Sequence, residues 1–207
     1  MKTMKKKSLL KITQFILLFC IIAPGVYAQQ KLQLVDEKVT LKIMGTSNLH
    51  DWTMEAEGLN GDMQAWINES SIEAIENGNL RVVVDKIESG KSIMNKKTYD
   101  ALNSDDHPYI TFQLQSVEDL YSAGSNFSGK ARGVLTIAGQ SENVTIPVTG
   151  KIKDNQVIVN GNYSLKMTSF QVDPPTAMFG SLKTGDQVTV EYELIFKPKS
   201  SLITETK

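Results

Sequence analysis

The feature that most constrains this chain is a two-residue alternation of apolar and polar side chains, recurring from Val39 to Phe196. Val188, Val190, Tyr192, Leu194 and Phe196 alternate with Thr189, Glu191, Glu193 and Lys197, and Ile195 alone breaks the rhythm. The same beat runs through Ile110-Phe112-Leu114, Val144-Ile146-Val148, Tyr163-Leu165-Met167, Val39-Leu41-Ile43 and Trp52-Met54-Ala56. Successive strand side chains point to opposite faces, so each run has one dry face and one wet face. That is the pattern of antiparallel sheet with one solvated side.

Turn residues punctuate the runs at Leu59-Asn60-Gly61-Asp62, Glu76-Asn77-Gly78-Asn79, Ala138-Gly139-Gln140, Lys153-Asp154-Asn155 and Asn160-Gly161-Asn162. Gly and Asn reach the positive φ values that tight hairpins require. Many short strands joined this way predict an all-β sandwich or barrel. Pro147 has no amide proton to give a ladder, which puts its strand near an edge or a bulge. Ser92 to Asn103 departs from the beat. Its spacing of Ile93, Met94, Lys97 and Ala101 predicts a short helix, with Ser92 as a candidate cap. Ser70 to Glu76 is a candidate for a second helical turn, and Asp173 to Asp186 reads as a long loop containing Met178 and Phe179.

The N-terminus has the form of a targeting signal. Lys2, Lys5, Lys6 and Lys7 precede an apolar core from Phe15 to Ala23, and Val26-Tyr27-Ala28 offers a cleavage site. A basic head, a short apolar middle and a small-residue exit describe a secretory signal peptide, residues 1–28, cut near Ala28. The core is shorter than the about 20 residues a membrane-spanning helix needs. Cleavage would remove Cys20, the single cysteine, and leave residues 29–207 as one domain, periplasmic or secreted, with neither disulfides nor thiolate metal sites. Removing five lysines and no acid from 22 basic and 23 acidic residues leaves 17 against 23, a formal charge of −6. Such a surface argues against nucleic acid as a partner.

Enzyme signatures are scarce: the chain has no GxSxG elbow, phosphate-binding glycine loop or HExxH motif. His50, beside Asp51, and His107, after Asp105-Asp106, are the two histidines, and their spacing implies no third metal ligand. The dry faces carry more information. They are rich in long or soft side chains such as Trp52, Met54, Met63, Met94, Phe112 and Met167, and Met adapts to irregular apolar shapes. A packed core and a lined cavity have the same sequence chemistry, and composition alone favours the core.

Several motifs add to this reading. Leu41 through Trp52, containing Gly45-Thr46-Ser47-Asn48-Leu49-His50-Asp51-Trp52, resembles the first hairpin of the YceI-like, polyisoprenoid-binding proteins. Met94-Asn95-Lys96 to Ala101-Leu102, then His107-Pro108-Tyr109-Ile110-Thr111-Phe112, resembles the family's helix and following strand. Gly133 to Gly139 and Val144 to Val148 resemble its next two strands. At Met167 to Pro175 the sequence departs from the arginine-containing pattern of many members.

The resemblance implies an extended, eight-stranded, antiparallel, lipocalin-like barrel with one or two short helices. It implies non-catalytic binding, storage or carriage of a long isoprenoid- or quinone-like molecule inside; transient contact with a membrane surface is a separate expectation. The candidate ligand-binding residues are Trp52, Met54, Met94, Phe112, Leu135, Ile137, Phe170, Met178 and Phe179, with Asn95, Lys96 or His50 orienting a head group. A tail of roughly forty carbons, at about 0.3 kcal/mol per atom, would gain on the order of 12 kcal/mol, or about nanomolar affinity. Two rival expectations stand beside it. One is a filled barrel serving as a scaffold for interaction or stress response, with Val172 to Gln187 as its functional loop. The other is a metal or hydrolytic site at His50, Asp51 and His107.

Overall fold

The computed structural model describes residues 28–35, 39–68 and 71–199. Residues 1–27 of the expected signal peptide, and the chain from Ser200 onward, fall outside these residues.

Each alternating run forms a strand, and all pairings are antiparallel. The first strand, β1 (Ala28–Leu34), and the second, β2 (Thr40–Ser47), both lie against the last, β12 (Leu182–Pro198). Leu34 partners Phe196 and Thr40 partners Glu193, so β1 and β2 are successive lengths of one stave. In the same way β3 (Trp52–Ala56) and β4 (Asn60–Asn68) make the second stave, and β5 (Ser71–Val83) and β6 (Ile87–Glu88) make the third. The remaining staves are β7 (Tyr109–Ala123), β8 (Asn126–Ile137), β9 (Gln140–Lys153), β10 (Gln156–Lys166) and β12. Because β12 returns to β1 and β2, eight staves close in up-and-down order. Closure removes the unpaired edges of an open sheet. The two-residue strand β11 (Thr176–Ala177) pairs with the start of β12, and the helix α1 (Ser92–Leu102) lies between β6 and β7.

The alternation sets the inside and outside of the wall. Val188, Leu194 and Phe196 are buried, while Glu191, Glu193 and Lys197 face water. Ile195, the exception to the rhythm, is buried on the opposite face from Leu194 and Phe196, and its register partner is Ile158. Pro147 behaves as its missing proton requires. It partners Lys130 on β8, and the β9–β10 ladder, which runs from Lys153 to Thr149, stops short of it.

Several local expectations are corrected. Of the five turn signals, Ala138-Gly139 and Asp154-Asn155 are tight hairpins with both residues at positive φ. The other three lie within strands. Asn60-Gly61-Asp62 opens β4. Asn77, at φ 49°, and Gly78 form a bulge in β5, where the register against β4 shifts. Gly161 sits inside β10, and the phenol of Tyr192 takes the space a side chain there would need. Residues 71–76 are strand, not helical turn. Residues 182–186, read as loop, already belong to β12. The helix forms as expected, but Lys91 holds the cap position and no side chain caps it. Its start is fixed instead from within: Asn95 Oδ1 accepts hydrogen bonds from the Ser89 amide at 2.8 Å and the Ser89 hydroxyl at 2.7 Å.

Candidate functional site

The barrel is hollow. At the end carrying the β7–β8 and β9–β10 turns, Ala65, Ile72 and Val157 are fully buried and fill the interior. Above them lies a cavity of about 830 Å³. Its wall is built by the inward residues of nearly every stave, among them Leu41, Ile43, Met54, Leu80, Phe112, Leu114, Leu135 and Val190. Composition favoured a packed core. The barrel instead keeps a lumen because eight staves enclose more space than these side chains fill.

The opposite end is partly covered by α1, none of whose residues is fully buried. Thr98 Oγ1 lies 3.4 Å from Met54 Sδ, and the Tyr99 hydroxyl donates to the carbonyls of Asp85 (3.2 Å) and Ile87 (3.1 Å). Burial, then the nearby Glu88 and Asp85, raise the Tyr99 phenol above its ordinary pKa. The far end of the helix rests on a second apolar cluster, in which Phe170 and Val172 pack with Ile137 beside Ala101 and Leu102. A short 3₁₀ turn, Met167–Phe170, presents Phe170 to this cluster, and its amide and hydroxyl at Thr168 are tied to the Asp186 carboxylate.

Many of the polar lining residues gather at the mouth on three segments, while Asp62 and Asn79 lie lower, on β4 and β5. Ser47 ends β2 and His50 lies in the β2–β3 loop, Lys91, Ser92 and Lys97 come from the start of α1, and Thr176 and Thr184 from β11 and the start of β12. Deeper in, the wall includes Tyr163 and Tyr192, and burial pushes the Tyr192 phenol up to about 12.

Seven of the nine residues expected to meet a ligand line this one cavity: Trp52, Met54, Met94, Phe112, Leu135, Ile137 and Phe170. Met178 and Phe179 do not. Met178 is 70% exposed and Phe179 fully exposed, on a turn outside the wall. Of the residues expected to meet a head group, His50 is at the mouth, Asn95 is engaged with Ser89, and Lys96 is exposed and outside the lining. Lys91 and Lys97 take that place instead. Of the wall residues missed from sequence, Leu114 shares strand parity with Phe112, and Ile43 and Val190 sit on the apolar side of their own alternating runs, a signal that could have found them.

The rival expectations fare differently. A filled barrel is contradicted by the lumen. His50 bonds through Nδ1 to the Asp51 carbonyl at 2.9 Å, whereas the ring of His107 packs against Gly139 in the β8–β9 turn. Among the described residues no three His, Cys, Asp or Glu side chains are grouped to hold a metal.

A closed antiparallel barrel of eight staves with a largely apolar lumen defines a hollow β-barrel of lipocalin-like architecture. Residues 28–196 match the YceI-like domain, and the chain belongs to that family. Solved structures share the fold at low identity. BcnA of Burkholderia cenocepacia is 17% identical with a TM-score of 0.63, over 78% of this chain and 98% of that one. A polyisoprenoid-binding domain from Saccharophagus degradans, implicated in plant cell wall breakdown, is 12% identical with a TM-score of 0.63, over 81% and 98%. The Campylobacter jejuni YceI protein is 14% identical with a TM-score of 0.55, over 71% and 85%. No curated protein sequence matches the chain.

Proposed function

We propose that this protein is a non-catalytic carrier or store for a long apolar molecule, isoprenoid- or quinone-like, held in the barrel lumen. The observation that carries the reading is the lumen itself: about 830 Å³ lined mostly by inward apolar side chains, with many of its polar lining residues gathered at the mouth. An apolar void that large loses the contacts its lining would otherwise make, and an apolar guest restores them. The Saccharophagus degradans relative, a polyisoprenoid-binding domain by description, supports the same class of guest.

The volume refines the expected length. At the roughly 30 Å³ that a water-sized group fills in a liquid, the lumen admits on the order of 30 heavy atoms. At about 0.3 kcal/mol per atom this is on the order of 9 kcal/mol, or about micromolar affinity. A forty-carbon tail would leave part of itself at the mouth. The basic head and short apolar core of residues 1–28 support delivery to a periplasmic or extracellular space, where such a carrier would work.

Native mass spectrometry of protein purified from its own host without detergent tests the reading. The expected spectrum shows an adduct, and organic extraction releases one lipid class. Protein at its bare mass, with nothing in the extract, would sink the proposal.

A further inference from the structure

Three separate segments surround the mouth, and each displays a large apolar side chain to solvent. Leu49, 70% exposed, is on the β2–β3 loop; Ile93, 75% exposed, is in the first turn of α1; Met178 and Phe179 are on the turn after β11. Each adjoins the lumen in sequence. Leu49 precedes the lining residue His50, Ile93 is itself at the edge of the lining, and Met178 follows Ala177, also in the lining. Large apolar side chains grouped on neighbouring loops of one rim mark a contact surface, whereas scattered ones are unremarkable.

These tips are held out rather than left loose. Asn48 donates from Nδ2 to the Ser181 carbonyl at 2.8 Å and accepts the Lys183 amide at 2.9 Å, which ties the β2–β3 loop to the β11 turn. Met178 and Phe179 have φ values of 51° and 54°, a left-handed region that side chains of this size rarely occupy. The backbone there accepts strain and leaves Phe179 fully in water.

Charge indicates what the rim meets. Its three segments, residues 47–52, 90–97 and 175–184, carry Lys91, Lys96, Lys97 and Lys183 against the single carboxylate of Asp51. The lysines are therefore local to the apolar tips: other exposed carboxylates of this end, such as Asp100, Asp105, Asp106 and Asp173, lie on the later turns of α1 and in the loops beyond these segments. Apolar tips among lysines match the headgroup boundary of an anionic bilayer, where the side chains enter the acyl region and the ammonium groups meet lipid phosphates. We propose that the mouth docks on an anionic lipid bilayer through Leu49, Ile93, Met178 and Phe179, framed by these lysines. The purpose of the docking rests on the carrier reading: a tail could then pass between bilayer and lumen without crossing water.

The test is flotation of the protein, as recovered from a bacterial envelope, with phosphatidylglycerol–phosphatidylethanolamine vesicles and with phosphatidylcholine vesicles. Wild type should partition roughly tenfold or more in favour of the anionic vesicles. The Leu49→Ser, Met178→Ser, Phe179→Ser triple variant should lose roughly tenfold of that binding, and Lys96→Glu with Lys183→Glu should remove the preference for anionic lipid. Co-purified lipid, measured on the same samples, reports the carrier reading separately. A lipid-loaded wild type that ignores both vesicles, or a triple variant that floats as well as wild type, would overturn the docking proposal and leave the carrier reading intact. Light scattering supplies the remaining outcome: a dimer dispersed by the triple variant would assign the rim to a second copy and overturn the bilayer.

Discussion

The indole of Trp52 occupies the space that a side chain at residue 45 would need, so Gly45 is the floor on which this cavity-lining tryptophan rests. The two are register partners across β2 and β3, and the indole Nε1 donates to the Thr46 carbonyl at 3.0 Å. A Cβ at this position must displace the ring. Gly45→Ala should therefore cost about 1–3 kcal/mol, the usual range for overpacking, and weaken retention of a lumen guest. Urea unfolding and lipid content after purification measure the two effects. A variant matching wild type in both would show that the ring has room to move.

Ala131 lies in the wall at mid-barrel and faces the lumen. A large side chain there would occupy the space proposed for the guest. Ala131→Phe should lower co-purified lipid by roughly tenfold, because the added ring removes volume that several methylenes, each worth about 0.8 kcal/mol, would have filled. Filling an empty apolar cavity also tends to stabilise a protein, by about 0.5–2 kcal/mol. The combination of lost lipid with an unchanged or raised melting temperature separates a blocked lumen from a damaged fold. Undiminished lipid in a well-folded Ala131→Phe protein would place the guest elsewhere.

Much of the barrel was legible because period two follows directly from strand geometry. Residues 188–196 name their own inward face, and the family motifs supplied the closure that alternation cannot. The failures have distinct causes. Gly161 and Gly78 read as turns because sequence shows only that a glycine is wanted, while the structure uses one to admit Tyr192 and the other in a bulge. Whether the interior was hollow could not be read, since Phe112 has the same chemistry whether it faces a void or another ring. Met178 and Phe179 read as ligand contacts because they are the large apolar side chains of a long loop. A loop has no period to say which way a side chain points, and these two point outward.

Burial holds the Tyr192 phenol protonated up to about pH 12, against an ordinary value of 10.0. Between these values the folded protein keeps a proton that the unfolded chain has lost. The stability linked to this group is complete below pH 10 and falls as pH rises toward 12. Urea midpoints should therefore decline across that interval in wild type and decline less in Tyr192→Phe, which keeps the ring and removes the titrating hydroxyl. Parallel declines in the two proteins would mean that Tyr192 is not buried as described.

Asp186 offers the opposite sign at the other end of the pH scale. Its carboxylate accepts the Thr168 amide at 2.9 Å and the Thr168 hydroxyl at 2.8 Å, and these bonds hold its pKa below the ordinary 3.8. The folded form then stays ionised where the unfolded chain has begun to take up a proton. Its contribution is complete above the ordinary carboxylate value and is lost as pH falls through the lower folded one. The consequence is local, because Thr168 belongs to the turn that seats Phe170 against Ile137 beside α1. Hydrogen exchange of residues 167–172 should accelerate on acidification below about pH 4, after correction for intrinsic rates. Asp186→Asn should exchange faster than wild type at neutral pH and show no acid step of its own, with the two proteins converging once the carboxylate is protonated. An acid step of equal size in the variant would assign the loosening to another group and detach Asp186 from the closure of this end.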